Sequence, residues 1–274
     1  MRIPTDPRLS PDGRTLVCTV QHVAPGHDGY LTSLWRVALD ADGLASFPPY
    51  RLTTAGRHDS SPRFSPDGTT LAFLSDRRTA VEDEPTAPKD REDQVQVHLL
   101  PLDRPGEARR LTDLPRGIRE FAWSPDGTQL AVISTSRGAD RGTDDRARRR
   151  LPEAAPGQPT ASDYWFFDRL GFQYNGMGVI AGQTPYLWVV DIATGAARRL
   201  ADLPAGAAQP AWSPDGRRIA ITTGRRVDAD LASAARIVAV DVGTGTITPV
   251  ADHPRGIFVL PTWLPGGDEI VAIG

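Results

Sequence analysis

The 274 residues carry 31 basic and 34 acidic side chains, a formal net charge of −3, which exerts no global pull toward nucleic acid or a membrane surface. No apolar run reaches the roughly 18 residues needed to span a bilayer, and Met1-Arg2-Ile3-Pro4-Thr5-Asp6 lacks the apolar core of a secretion signal. Cys18 is the only cysteine, so no internal disulfide forms, and a cytoplasmic location is the simplest expectation.

The chain opens with Thr5-Asp6-Pro7-Arg8-Leu9 running into Ser10-Pro11-Asp12-Gly13 and on to Leu16-Val17-Cys18. In such a turn Pro presets φ, Asp bonds nearby backbone, and Gly accepts positive φ where the next strand starts. A second strand pair follows, Leu34–Asp40, then Gly43, then Arg51-Leu52-Thr53. The same order recurs after Phe64. Ser65-Pro66-Asp67-Gly68 leads to Leu71-Ala72-Phe73-Leu74, then to Val95–Asp103, Gly106 and Arg110-Leu111-Thr112. After Trp123, Ser124-Pro125-Asp126-Gly127 leads to Leu130-Ala131-Val132-Ile133, Leu187–Asp191, Gly195 and Arg199-Leu200-Ala201. After Trp212, Ser213-Pro214-Asp215-Gly216 leads to Ile219-Ala220-Ile221, Ile237–Asp241, Gly245 and Val250-Ala251. Trp263 and Leu264-Pro265-Gly266-Gly267, a degraded copy of the turn, precede Ile270-Val271-Ala272-Ile273.

Four antiparallel strands repeated every roughly 40–50 residues are the signature of a β-propeller blade. The expected fold is therefore all-β: a β-propeller of four four-stranded blades plus the start of a fifth, a partial seven-bladed ring. The blades are expected at about residues 5–56, 57–115, 116–204, 205–254 and 255–274. Extra length falls between the second and third strands, in the charged stretch Asp76–Asp93 and in the insertion 136–182. Both insertions are expected on the same face of the propeller. The short apolar runs suit strands buried on both faces, and the aromatics before the turns read as packing between neighbouring blades. A half-blade would leave an unpaired apolar edge, so these residues are expected to belong to a longer protein.

Few residues invite a chemical role. His22 and His27 with Asp28 read as exposed loop histidines, since no Cys or Glu completes a ligand set. His58 beside Asp59 reads as structural, with Arg119-Glu120 and Ala208-Gln209 as the corresponding positions of other units. His98 reads as a packed or edge side chain, and His253 as a loop residue between blades. The turn aspartates Asp12, Asp67, Asp126 and Asp215 belong to separate blades and hold their own turns rather than calcium. The basic tract Arg137–Arg150 is cut by Asp140, Asp144 and Asp145 and reads as a solvated insertion, as does the acidic Glu82–Asp93. The sharpest candidate is Asp163-Tyr164-Trp165-Phe166-Phe167-Asp168-Arg169, aromatics beside a guanidinium that can bind a carboxylate bidentately.

The opening Thr5–Gly13, the segment Asp59–Gly68 with Leu71–Arg77, and Glu107–Thr112 resemble the propeller of the prolyl oligopeptidase family (S9) of serine peptidases, the acylaminoacyl-peptidase-like branch above all. Arg169-Leu170-Gly171-Phe172-Gln173-Tyr174-Asn175-Gly176-Met177-Gly178 continues the resemblance. It implies a seven-bladed propeller joined to an α/β-hydrolase domain of the same polypeptide, which acts on short peptides with a Ser-Asp-His triad and no cofactor. That hydrolase domain is absent from these residues, and no G-x-S-x-G nucleophile elbow occurs in them. No catalytic residue or metal ligand is therefore expected here. Arg169, Tyr174 and Trp165 are the expected substrate-contacting residues, and neither nucleic acid nor membrane is an expected partner. The alternative is a non-catalytic TolB-like propeller that binds a protein partner.

Overall fold

The computed structural model describes residues 2–24, 29–54, 58–77, 95–137, 173–174, 178–179, 183–224, 234–253 and 256–274. These residues form strands and turns, arranged as successive antiparallel meanders. The first sheet holds β1 (Arg2–Leu9), β2 (Thr15–Val23), β3 (Tyr30–Ala38) and β4 (Tyr50–Arg51) in that order. The second holds β5 (Ser60–Phe64), β6 (Thr70–Ser75), β7 (Gln96–Pro101) and β8 (Arg109–Arg110). The third is built from β9 (Glu120–Trp123), β10 (Gln129–Arg137), β13 (Gln183–Asp191) and β14 (Ala197–Arg199), with a two-stranded hairpin of β11 (Gln173–Tyr174) and β12 (Gly178–Val179) between its second and third strands. The fourth is β15 (Ala208–Trp212), β16 (Arg218–Gly224), β17 (Ala235–Asp241) and β18 (Ile247–Ala251). Finally β19 (Val259–Trp263) pairs with β20 (Ile270–Ile273). The expected all-β propeller architecture is thus observed as four four-stranded blades and a two-stranded start of a fifth.

Each Ser-Pro-Asp-Gly turn is closed by its serine as much as by its glycine. Ser213 is fully buried; its Oγ donates to Asp215 Oδ1 at 2.6 Å and accepts the Arg218 N–H at 2.9 Å. Asp215 Oδ1 also accepts the Arg217 N–H, and the Gly216 N–H donates to the Ser213 carbonyl. The same four bonds recur around Ser10, Ser65 and Ser124. The serine's bond holds each of these four aspartates below the ordinary carboxylate range.

The first strands share a device that the repeat alone does not announce. Asp6, Ser61, Gln209 and Leu260 take φ of 47°, 54°, 56° and 55°, and each precedes a proline: Pro7, Pro62, Pro210 and Pro261. Pairing with the second strand skips at that point, from Thr5↔Thr19 to Arg8↔Val17 and from Ser60↔Leu74 to Arg63↔Ala72. A proline cannot donate to a ladder, so the bulge absorbs it there. The third blade has Phe121 in place of the proline, and Glu120 before it is not in the left-handed region.

The described chain divides into two compact units, Met1–Leu130 with Val190–Ala196, and Ala131–Val189 with Ala197–Gly274. Val17, Leu34, Leu71, Phe73 and Leu100 form the core of the first, with Phe64 and Leu52 against it. Ile133, Leu187, Val189, Ile219, Ile221, Val238 and Val240 lead that of the second. Each such side chain removed from water contributes about 1.5–3 kcal/mol. The second strands are buried nearly throughout, as in Leu71–Ser75 of β6 and Ile219–Thr223 of β16, whereas β20 alternates with Val271 and Ile273 exposed.

Within each unit the blades are joined by repeated contacts. The Trp123 Nε1–H donates to the Arg63 carbonyl at 3.2 Å, and that of Trp263 to the Ala211 carbonyl at 3.0 Å. Pro11, Pro66 and Pro214 lie against Gly68, Gly127 and Gly267 of the following turn. At the other turn of each blade, Arg109 Nη2 donates to the Ile192 carbonyl and Arg198 Nη2 to the Val242 carbonyl, again one blade on. Gly195 and Gly245, at φ of 71° and 74°, approach the Leu111 and Leu200 carbonyls so closely that a Cβ would lie 2.9 and 2.5 Å from them.

Candidate functional site

In each meander the connection from second to third strand leaves from the end opposite the Ser-Pro-Asp-Gly turn. In the second blade this end gathers ionisable side chains, because the residues leading into β5 meet those leaving β6. The His58 N–H donates to Asp76 Oδ1 at 2.9 Å, and His58 Nδ1 lies 2.6 Å from Asp76 Oδ2. Its Nε2 lies 2.9 Å from the carbonyl of Tyr30 in β3 of the first blade. A carbonyl only accepts, and Asp76 stays ionised: burial opposes its charge, but the N–H and ring of His58 outweigh that and hold its carboxyl below the usual range. Both ring nitrogens therefore donate, and the bond to Asp76 raises the imidazole above its ordinary value.

Asp59, one residue on, is fully buried and pairs with a different partner. Its Oδ2 accepts from Arg77 Nη2 at 2.7 Å, while Oδ1 has no hydrogen-bond partner among the described residues. The Arg77 Nε–H donates to Ser75 Oγ, and its guanidinium carbon sits 5.1 Å from the centre of the Phe73 ring. Beyond Phe73 lies His98, 2% exposed, its ring 5.8 Å from that of Phe73. Burial pushes His98 down to about 4, so it is neutral at pH 7. Gln96 beside it is satisfied by Thr112 and Leu114, and the Thr112 hydroxyl also accepts the Val97 N–H.

This cluster holds structure together rather than performing acid–base chemistry. His58 has no free lone pair, Asp59 is tied to Arg77, and among the described residues no nucleophile is bonded to either histidine. No group of three or more His, Cys, Asp or Glu among the described residues could hold a metal ion. A groove of about 410 Å³ between the fourth blade and β19–β20 is lined by Arg218, Asp241, Thr244, Trp263 and Asp268. Arg218 is committed to the Gly267 carbonyl and the Trp263 ring, and Asp241 to Thr244.

Arg169 and Trp165, with the rest of 163–169, lie outside the described residues, as do His27, 78–94 and 138–172. Tyr174 is placed by its backbone in β11, opposite Gly178. Two sequence expectations are corrected. His22 is in β2, paired with Arg2 and Leu31, and not in a loop. The positions equivalent to His58-Asp59 are Gly117-Ile118 and Gly206-Ala207, since the N–H groups of Asp59, Ile118 and Ala207 make matching bonds to the carbonyls of Thr32, Val95 and Pro185, in or just before the third strands. His98 is packed, and each turn aspartate serves its own turn. Nothing in the sequence announces the Asp59–Arg77 pair, although Leu71–Arg77 ends on that arginine.

No family model matches the chain. A Bacillus subtilis (strain 168) protein described as the uncharacterized peptidase YuxL is 29% identical over 213 residues, 78% of this chain and 28% of that protein. The chain is thus similar to a peptidase over most of its own length. Among solved structures, the chain matches the Pyrococcus horikoshii acylaminoacyl peptidase with a TM-score of 0.61 at 16% identity, covering 94% of this chain and 34% of that one. It also matches TolB from Acinetobacter baumannii with a TM-score of 0.53 at 17% identity, covering 98% and 48%. At these identities the structural likeness speaks for the fold alone. The chain spans little more than a quarter of the length of its curated peptidase relative. Among the described residues no helix is long and apolar enough to cross a membrane.

Proposed function

We propose that these residues are the N-terminal, substrate-gating propeller of an acylaminoacyl-peptidase-like serine peptidase of the S9 family, acting on short peptides in the cytoplasm. The observation that carries this reading is the alignment of 78% of the chain with only 28% of a much longer peptidase. The repeated meander of four-stranded blades fits it. The chemistry belongs to an α/β-hydrolase domain of the same polypeptide, the propeller's principal partner, where a Ser nucleophile is activated by a neighbouring base and needs no cofactor. The propeller's contribution is steric: it admits short chains and excludes folded proteins. Arg169, Trp165 and Tyr174 supply contacts to the peptide.

The test is hydrolysis by the full-length protein of acylated di- and tripeptide p-nitroanilides beside a folded protein substrate. Cleavage of the short substrates and not of the folded protein is expected, with no activity from residues 1–274 alone. Equal cleavage of both, or activity in the isolated 274 residues, overturns the reading. Arg169→Ala is expected to lower kcat/KM on short peptides by roughly tenfold, about the 1.4 kcal/mol of one charge-assisted bond. An unchanged kcat/KM removes Arg169 from the peptide contacts.

A further inference from the structure

We infer that His58 is a pH-released latch which fastens the first blade to the root of the second blade's long connection. The doubly protonated imidazole holds this junction closed, and loss of its Nε2 proton opens it.

The geometry carries the inference. The ring reaches in two directions, to Asp76 Oδ2 at the end of β6 and to the Tyr30 carbonyl at the start of β3. Asp76 and Arg77 are the last described residues before the connection to β7, and Tyr30 is at the start of the strand that follows residues 25–28. One side chain thus ties the ends of two connections in adjacent blades. Its cation needs two acceptors, and it has them: a carboxylate and a carbonyl.

Deprotonation does not affect the two bonds equally. The carboxylate is the stronger acceptor, so the remaining proton stays on Nδ1 facing Asp76. Nε2 then presents a lone pair to the lone pairs of the Tyr30 carbonyl, and the bond becomes a repulsion. The bond that breaks is the one that crosses between blades. At this end of the seam the Asp59 N–H to the Thr32 carbonyl then remains, at a long 3.2 Å.

The surroundings set the direction of the response. Among the described residues, the charged groups that bear on the ring are Asp76, just past the end of β6, and Asp59 from its own segment, both acidic; their pull outweighs the burial that works against the cation. Arg77, next to Asp76, is taken up by Asp59. The packed part of β3 contributes the Tyr30 carbonyl, and Tyr30 itself points into solvent, 60% exposed. Every one of these acceptors favours the cation. His58 is itself 55% exposed, so protons reach it without unfolding. The closed form is complete at and below the ordinary imidazole value of 6.5 and is lost as pH rises through the higher value of the folded protein.

The Asp59 amide, which donates across the seam, reports on the latch. Hydrogen exchange corrected for intrinsic rate is measured at pH 6 and pH 9 in the protein and in His58→Gln. Protection of the Asp59 amide is expected to fall at least fivefold between the two pH values in the protein. In H58Q, which carries no titrating group at this place, it is expected to change less than twofold. Equal changes in both proteins overturn the inference. Nitrogen-15 spectra of His58 give an independent reading that requires no variant. Two protonated ring nitrogens at pH 6 support the latch, and a single neutral tautomer at that pH refutes it. Asp76→Asn is expected to bring the His58 titration back toward 6.5, and an unmoved titration counts against the pair.

Discussion

The indole N–H of Trp123 donates to the main-chain carbonyl of Arg63, one blade back, and Trp263 makes the same bond to Ala211. These two tryptophans therefore join blades in two ways, by area and by one directed bond. The second blade, which carries Phe64 at this place, makes do with area alone, and Phe64 packs on the core of the first unit. Trp123→Phe is expected to cost about 1 kcal/mol, the net value of one hydrogen bond, and Trp123→Ala about 3–5 kcal/mol with the lost packing. Urea midpoints of the two variants check the difference. A phenylalanine variant as damaging as the alanine one would place the whole effect in the bond.

The two glycine turns separate backbone conformation from close approach. Gly43 and Gly245 occupy the same turn in different blades, at φ of 75° and 74°. A Cβ on Gly43 meets nothing within 4 Å, whereas one on Gly245 lies 2.5 Å from the Leu200 carbonyl oxygen. Gly43→Ala is expected to cost about 1–2 kcal/mol, the price of a left-handed residue with a side chain. Gly245→Ala is expected to exceed it by at least about 2 kcal/mol, because backbone of the preceding blade must move. Thermal unfolding of both variants tests this, and equal losses would show that the seam yields easily.

The sequence discloses what the local backbone dictates and little that depends on the neighbouring blade. Pro11, Asp12 and Gly13 can be assigned their turn roles because φ preference and side-chain reach act within four residues. Ser10 cannot be read in full, since its hydroxyl, besides donating to Asp12, accepts the amide of Thr15 on the returning strand. The bonds of Arg109 and Arg198 to carbonyls of the next blade have no signature, because any residue supplies a carbonyl. In sequence His58 adjoins Asp59, whereas the folded partner is Asp76, which the β5–β6 hairpin brings alongside. Of the residues expected to contact substrate, Arg169 and Trp165 fall outside the described chain, so that expectation rests on the resemblance alone.

The buried serines predict a measurable loss. Ser213→Ala deletes the donor to Asp215 and strands the Arg218 amide beside a buried position. The expected cost is about 1–3 kcal/mol, at the upper end if no water replaces the hydroxyl. Asp215 should also titrate closer to the ordinary value of 3.8 in the variant, because its first cause of depression is gone. Carboxyl carbon shifts followed with pH check this, and an unchanged Asp215 titration would mean that the backbone bonds suffice.

His98 predicts a pH dependence opposite in sign to that of the His58 latch. Its folded value of about 4 lies below the 6.5 of the unfolded chain. As pH falls from 6.5 toward 4, the unfolded state takes up a proton that the folded state refuses, so stability declines over that window and is level above it. The full decline is on the order of 3 kcal/mol for a group this deeply buried. The turn aspartates add little down to pH 4.5, because their depressed values lie below 3.8 and most of their stabilisation is lost only as pH falls through 3.8. Unfolding free energies at pH 7 and pH 4.5 should therefore differ less in His98→Gln than in the protein. A variant that keeps the full difference would assign the decline to other groups.

Asp59 and Arg77 test how much of the second blade depends on one ion pair. Asp59 is fully buried, Arg77 is its charged partner, and the guanidinium also covers the Phe73 ring that separates it from His98. Removing one member leaves the other uncompensated: Asp59→Ala is expected to cost about 3–5 kcal/mol, and Arg77→Ala a similar amount plus lost packing on Phe73. The double variant Asp59→Ala with Arg77→Ala should cost less than the sum of the single changes, because neither charge is then stranded. Asp59→Asn gives a sharper test, since it keeps shape and removes charge while leaving Oδ1 where no partner meets it. A loss well below that of the alanine variant would mean that Arg77 needs an acceptor at this place and not an anion. Urea denaturation of the four proteins at pH 7 closes the cycle. Simple additivity would refute the coupling that the 2.7 Å contact implies.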